Sequence, residues 1–245
     1  MENKPDTELL VERDDSTLTL TLNRPESLNA LSPDLVEALL AEITNAGDVR
    51  LCVIKAEGKN FCAGFDLSDI DVLSDGDLLL RFVRIETLLQ AVHHAPFPVI
   101  AFAQGHAVGA GADLFAACWK RVAASNAKFR FPGWQFELAL GTRRLTRLVG
   151  TDNARDMLID TKVALADAAL GMGLATEVDE VEAWDEVVEA AKQRTLVLPQ
   201  SALGPMLGLT VVDTRVEDIA AVVETAGVPG LRQRILDYNE RVKRR

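Results

Sequence analysis

Two short apolar runs, each followed at once by a glycine-punctuated turn, constrain the fold of this 245-residue chain more than any other feature. VRLCVIKA gives way to GKNFCAG, and FPVIAFA gives way to GHAVGAG. Runs of this length, apolar at nearly every position and rich in β-branched residues, fit strands covered on both faces, as in a buried parallel sheet. The longest uncharged stretch, Thr87 to Ala112, is broken by Pro96, Pro98, histidines and several glycines. It therefore reads as helix end, buried strand and loop in succession, not as a membrane span.

The rest of the chain arranges itself around these runs. ELLVER and TLTLTL, on either side of Asp14 and Asp15, predict two antiparallel strands joined by a turn. PDLVEALLAEITNA reads as a helix with Pro33 in its first turn and Ser32 as its cap, since Leu35, Leu39 and Ile43 recur at helical spacing. A long helix is predicted from about Asp75 to His94, with Leu79, Phe82, Ile85 and Leu89 on its inner face. GHAVGAG reads as a small-residue loop leading into the helix ADLFAACW, and KRVAAS and KFRF follow as strands. Helices are predicted at Thr142 to Leu148, Ala154 to Ile159 and Leu165 to Ala169. This order of strand, strand and helix predicts an α/β fold of stacked ββα units rather than a doubly wound sheet. Beyond Val181 the pattern is mostly helical, punctuated by Leu198-Pro199 and Gly204-Pro205, and it ends in an amphipathic helix with a basic tail.

Composition excludes several partners. With 26 Lys and Arg against 37 Asp and Glu, the net charge of -11 repels a nucleic-acid backbone and an anionic membrane surface. A polyanionic ligand is still accommodated if backbone N–H groups and local cations bind it. The N-terminal MENKPDTELLVERDD is polar and acidic, so it reads as the start of the mature protein rather than a signal or transit peptide. Cys52, Cys62 and Cys118 have no CxxC spacing, which argues against a disulfide framework or a zinc site and for reduced thiols in the cytoplasm.

Four segments occur in an informative order: LNRPESLNALS at 22–32, GKNFCAGFDL at 58–67, GHAVGAGADLFAAC at 105–118 and FRFPG at 129–133. Together they resemble the enoyl-CoA hydratase/isomerase (crotonase) superfamily over residues 8 to 178. Their joint order and spacing are far more specific than one glycine motif, which alone would mark only a tight turn. The resemblance implies a spiral of ββα units over residues 1–180 and a helical trimerisation region over 181–245. It implies an acyl-CoA substrate in fatty-acid metabolism, no cofactor beyond the coenzyme A of that substrate, no metal, and a homotrimer or hexamer.

The superfamily's chemistry explains the glycines. Its members stabilise an enolate or oxyanion derived from a coenzyme A thioester, and two converging backbone N–H groups supply that stabilisation. By resemblance the donors are Phe65, directly after Ala63-Gly64, and Ala110, between Gly109 and Gly111. Ala110 also opens a helix, whose positive end favours the same oxygen. Asp113 follows three residues later, on the same helical face, where hydratases carry the first of two catalytic glutamates. The alternative for Asp113 is an acid favoured only by the helix dipole. Ser27, Leu28 and Ala30, with Ala63, Asp66 and Leu67, match positions that cradle the adenine and pantetheine through the main chain.

Three departures from the pattern bear on mechanism. The second hydratase glutamate follows the proline of FRFPG, but here Pro132 is followed by Gly133. The segment from Gly133 to Gly141 is also shorter than the family pattern, so Glu137 either reaches inward as a substitute or is a solvated residue. Trp119 stands where an aspartate is common. His106 in the glycine loop either lines the acyl pocket or serves as a hydrogen-bonded spacer, while His93 and His94 suit a helix end. Hydration is the family default; a one-carboxylate reaction or simple acyl-CoA binding fits the missing glutamate.

Overall fold

The computed structural model describes residues 7–14 and 16–244. The strands are β1 Leu9–Asp14, β2 Thr17–Leu22, β3 Leu51–Ala56, β4 Val99–Ala103, β5 His106–Val108, β6 Lys120–Ala123, β7 Lys128–Arg130, β8 Ala164–Leu165 and β9 Glu177–Val178. The helices are α1 Pro33–Thr44, α2 Asp75–His93, α3 Ala110–Ala117, α4 Thr142–Val149, α5 Thr151–Asp160, α6 Ala166–Gly171, α7 Trp184–Leu196, α8 Gln200–Thr210, α9 Arg215–Ala226 and α10 Leu231–Lys243. No helix among the described residues is long and apolar enough to cross a membrane.

The larger sheet runs β1-β2-β3-β4-β6-β9, antiparallel only between β1 and β2. The smaller sheet runs β5-β7-β8. Parallel bridges from Leu31 to Phe65 and from Cys62 to Ala107 extend this second layer across the molecule. Four of the six large-sheet strands are thus followed by an extended segment in the second layer and then by a helix. The units are β2, Leu31, α1; then β3, residues 62–65, α2; then β4, β5, α3; then β6, β7, α4. This is the stacked ββα spiral expected from the segment order.

Both apolar runs are sealed on two sides. Cys52, Ile54 and Ala101 join the principal core with α1, α2 and α3. Leu51, Val53, Ile100, Phe102 and Val122 meet Trp184, Val187 and Ala191 of α7. Strands buried on both faces have no reason to alternate apolar with polar residues. Local chemistry sets the helix starts: Ser32 Oγ accepts the Leu35 N–H at 3.1 Å, and Ser74 and Asp77 form a reciprocal capping box on α2.

The structure corrects several expectations. His106–Val108 is a strand and not loop, because its backbone pairs with Lys128–Arg130. On α2 the buried residue is Leu78 rather than Leu79, and Glu86 lies buried among the apolar positions. Gly204-Pro205 does not interrupt the chain. Pro205 lies inside α8, with Gly204 packed on Pro96. The hairpin turn includes Asp15, which lies outside the described residues. Among the helices after residue 180, α7 covers the large sheet, α9 packs on α2, and α10 packs on α2 and on the 3-10 turn Gly133–Phe136.

Candidate active site

The loop after β3 is stitched into place from two sides. Ala63 N–H donates to Leu28 O at 2.9 Å, and Leu31 N–H donates to Gly64 O at 2.7 Å. On the other flank, Cys62 N–H donates to His106 O at 3.1 Å and Val108 N–H to Cys62 O at 2.9 Å. Gly64 has a φ of +92°. A Cβ there would overlap Val108 O and stand 3.2 Å from the Ala110 nitrogen. The turn that presents Phe65 therefore abuts the start of α3, and only glycine allows it to do so.

Gly109 caps α3 with a φ of +53°, so the helix begins at Ala110 and its first N–H groups have no intrahelical partner. Among the described residues, neither the Phe65 nor the Ala110 N–H donates to another protein group. Both residues line one cavity of about 220 Å³. Two neighbours on α2 hold the Phe65 ring: it stacks on Phe82 at 4.4 Å, and the Arg81 guanidinium lies 4.4 Å from its centroid. Arg81 is anchored in turn on Asp69 at 2.8 Å and on Asp66 O at 3.0 Å.

Asp113 lines the same cavity, one turn along α3 from Ala110, and is 4% exposed. Its Oδ1 is buried without a hydrogen-bond partner. Burial pushes its carboxyl well above the usual carboxylate range, the Arg144 guanidinium opposing that rise and the Glu86 carboxylate adding to it. Gly141, at φ +62°, backs onto Asp113, and a Cβ there would overlap Oδ1.

Apart from Asn239, the remaining wall is apolar or aromatic. It includes Phe82, Val108, Phe131, Leu138, Leu140 and Leu158, with Ile235, Tyr238 and Asn239 contributed by α10. Among the lining residues, Asp113 alone carries an ionisable acid other than the Tyr238 phenol. The arrangement can hold a carbonyl oxygen between two N–H groups at the mouth of an apolar chamber, with one carboxyl beside it.

Of the residues singled out in the sequence, Ala63, Phe65, Leu67, Gly109, Ala110, Asp113, Pro132 and Gly133 line this cavity together. Gly64 lies directly behind it. Ser27, Leu28 and Ala30 form the adjoining loop, joined to the turn at Ala63 and Gly64 through Leu28 O, with Leu28 49% exposed. The Asp66 carboxylate is engaged by Arg24 at 2.8 Å and by the Ser68 N–H at 2.9 Å, which holds it below the usual range despite its burial. Asp66 braces the loop through that carboxylate.

Two alternatives resolve against the pocket. His106 is exposed on β5 and is held through its backbone alone, its N–H donating to Asn60 Oδ1 at 3.0 Å and its carbonyl accepting the Cys62 N–H. Glu137 does not reach inward. It ends the 3-10 turn Gly133–Phe136 at φ +61°, and its carboxylate faces solvent beside Arg234 at 3.4 Å. The left-handed turn after Phe136 directs Glu137 away from the cavity. Sequence reasoning missed Glu86, Arg144, Gly141 and the α10 wall. The one local signal was an acid inside the apolar stripe Phe82, Ile85, Glu86, Leu89.

Comparison with known proteins agrees with this geometry. The enoyl-CoA hydratase/isomerase family profile matches residues 12–202. A solved family member from Bordetella parapertussis superposes with a TM-score of 0.93 at 41% identity, over 94% of this chain and 98% of that one. An enoyl-CoA hydratase structure from Mycobacterium smegmatis gives 0.78 at 30% identity, over 96% and 97%. Among curated relatives, "Probable enoyl-CoA hydratase echA6" of Mycobacterium bovis is 38% identical over 178 residues, 69% of this chain and 71% of that protein. The short-chain-enoyl-CoA hydratase of Clostridium acetobutylicum is 30% identical over 196 residues, 76% of this chain and 72% of that protein. With the ββα spiral, two turns converging on one cavity and a match spanning most of its length, the chain belongs to the enoyl-CoA hydratase/isomerase family of the crotonase superfamily.

Proposed function

We propose that this protein binds an acyl-CoA thioester with its carbonyl oxygen between the N–H groups of Phe65 and Ala110, and acts on it as a hydratase/isomerase-type enzyme through a thioester enolate. The observation that carries this reading is the pair of uncommitted N–H groups on one cavity, backed by Gly64. Each such donor contributes about 2.7–4 kcal/mol to a transition state that carries charge on oxygen. The coenzyme A moiety runs along the backbone of Ser27, Leu28 and Ala30 and of Ala63, Asp66 and Leu67. Asp113 is the acid/base group, and no cofactor is needed beyond the coenzyme A of the substrate.

A second reading is a non-catalytic acyl-CoA binder. Gly133 in place of a carboxylate, with Glu137 turned to solvent, favours it. Calorimetric titration with an acyl-CoA beside an ultraviolet assay of crotonyl-CoA hydration separates the two. For the enzyme, Asp113→Asn lowers turnover by about 100-fold or more while affinity holds. Turnover indifferent to that change, with tight binding, selects the binder. Absence of acyl-CoA binding in both proteins rejects both readings.

The assembly we propose is a homotrimer or hexamer, supported by family membership and by apolar side chains left exposed on the C-terminal helices. Val197 is 81% exposed and Leu209 89%. The three buried free thiols support a cytoplasmic setting.

A further inference from the structure

Behind the cavity wall, charged groups from four helices meet. Arg144 of α4 grips Glu86 of α2 with both prongs of its fork, Nη1 to Oε1 at 2.9 Å and Nη2 to Oε2 at 2.5 Å. Both side chains are buried, at 2% and 0% exposure. Gln90 Nε2 adds a third hydrogen bond to Glu86 at 3.0 Å. Asp218 of α9 takes Arg143 at 3.0 Å and Thr214 Oγ1–H at 2.8 Å, and meets Arg144 Nη1 only at 3.5 Å. Asp113 of α3 is the remaining acid.

The charges do not balance if Asp113 is ionised. Arg144 is matched by Glu86, and Arg143 by Asp218, so no cation is left for the third buried carboxyl. The hydrogen bonds agree: Asp113 Oδ1 and Arg144 Nε are both buried and both without a partner, because the fork faces Glu86 instead. Other groups near the cluster do not alter the count. His93, at the end of α2, is held down to about 4 by burial and is neutral at pH 7. Arg147 donates to Val212 O and Thr214 Oγ1 at the surface, and Arg234 is taken by Glu137 and the Phe136 carbonyl. A buried carboxylate with no cationic partner is costly, and a proton is the cheapest partner it can take.

We infer that Glu86, by engaging the Arg144 fork, keeps Asp113 a neutral carboxylic acid, so that the site meets its ligand with an O–H donor and not with a base. Glu86 and Arg144 are thus positioning residues for Asp113. The inference deepens the acyl-CoA reading and rests on it for the identity of the ligand, though not for the protonation state. It also accounts for the vacant carboxylate position at Gly133. A lone neutral acid serves a reaction in which the enzyme gives a proton or a hydrogen bond, and does not serve activation of water by a carboxylate base.

The test uses infrared spectroscopy of the full-length protein without coenzyme A, titrated through pH. At pH 7 the wild type shows a carboxylic-acid C=O band that Asp113→Asn removes. Glu86→Gln turns the Arg144 charge toward Asp113 and moves the band's titration down by one pH unit or more, a tenfold loss of proton affinity. Asp218→Asn, which removes the more distant carboxylate, moves it the same way by less. Absence of an Asp113 band at pH 7 overturns the proposal. So does a titration that stays in place in Glu86→Gln, or in Asp218→Asn should Glu86→Gln not fold. Acyl-CoA calorimetry on the same samples keeps the two proposals apart: lost binding with the band intact rejects the proposed function, and binding without the band rejects this inference.

Discussion

At the scale of single residues, the site is governed by groups forced into company. Asp113 carries a pH signature whose sign follows from its environment. Its carboxyl is raised in the folded protein and ordinary in the unfolded chain, so its contribution is fully present below the unfolded value. That contribution is lost as pH rises toward the folded value. In this window the slope is about 1.4 kcal/mol of stability lost per pH unit. Asp113→Asn should remove the slope, leaving the variant more stable than wild type at pH 7 to 8 and similar near pH 3, as read by thermal denaturation. Gly64 makes a steric prediction. Gly64→Ala places a methyl group against Val108 O and beside the Ala110 nitrogen, and acyl-CoA affinity by calorimetry should fall by about tenfold, the worth of one lost hydrogen bond. Glu86→Ala leaves the buried Arg144 with only the distant Asp218 carboxylate at 3.5 Å, and should cost about 3 kcal/mol in urea denaturation. The residue-level logic of Gly64, Phe65, Ala110 and Asp113 was legible because it is local: a glycine turn, a helix start and a position one turn along. Glu86 and Arg144 were not, since the two partners stand 58 positions apart. No periodicity in either helix reports which charge the other presents.

At the scale of elements, α10 forms part of the cavity wall through Ile235, Tyr238 and Asn239, and its start is tethered to the start of α2. The Asp75 carboxylate accepts the Gly230 N–H at 2.6 Å and the Arg232 N–H at 2.9 Å. These backbone donors hold Asp75 below the usual carboxylate range. The tether is therefore present above the ordinary Asp value and is released as pH falls through the lowered one. Asp75→Ala should speed hydrogen exchange across α10 and weaken acyl-CoA binding, while exchange in β3 and β4 stays at wild-type rates. The amphipathic pattern of α10 foretold a helix with one buried face. It did not say which surface that face would cover, because an apolar stripe is non-directional and accepts any complementary groove. The 3-10 turn Gly133–Phe136 teaches the same lesson: its left-handed exit at Glu137 is what turns that acid outward.

At the scale of the whole molecule, the proposed trimer predicts that Leu209→Glu lowers the sedimentation coefficient to that of a monomer without loss of secondary structure. An unchanged assembly would place the interface elsewhere. The amino-acid sequence by itself determined the buried strands, the Ser32 cap, the order of ββα units and the two glycine turns that define the family. Each of these is written in residues close along the chain, through periodicity, capping chemistry and φ preference. Only the tertiary structure decided that His106 lies in a strand, that Glu137 faces solvent, that α10 walls the cavity beside Asp113, and that the Arg144 fork faces Glu86 rather than Asp113. Those outcomes depend on packing between distant segments, where burial strengthens electrostatics and a few ångströms settle which groups pair.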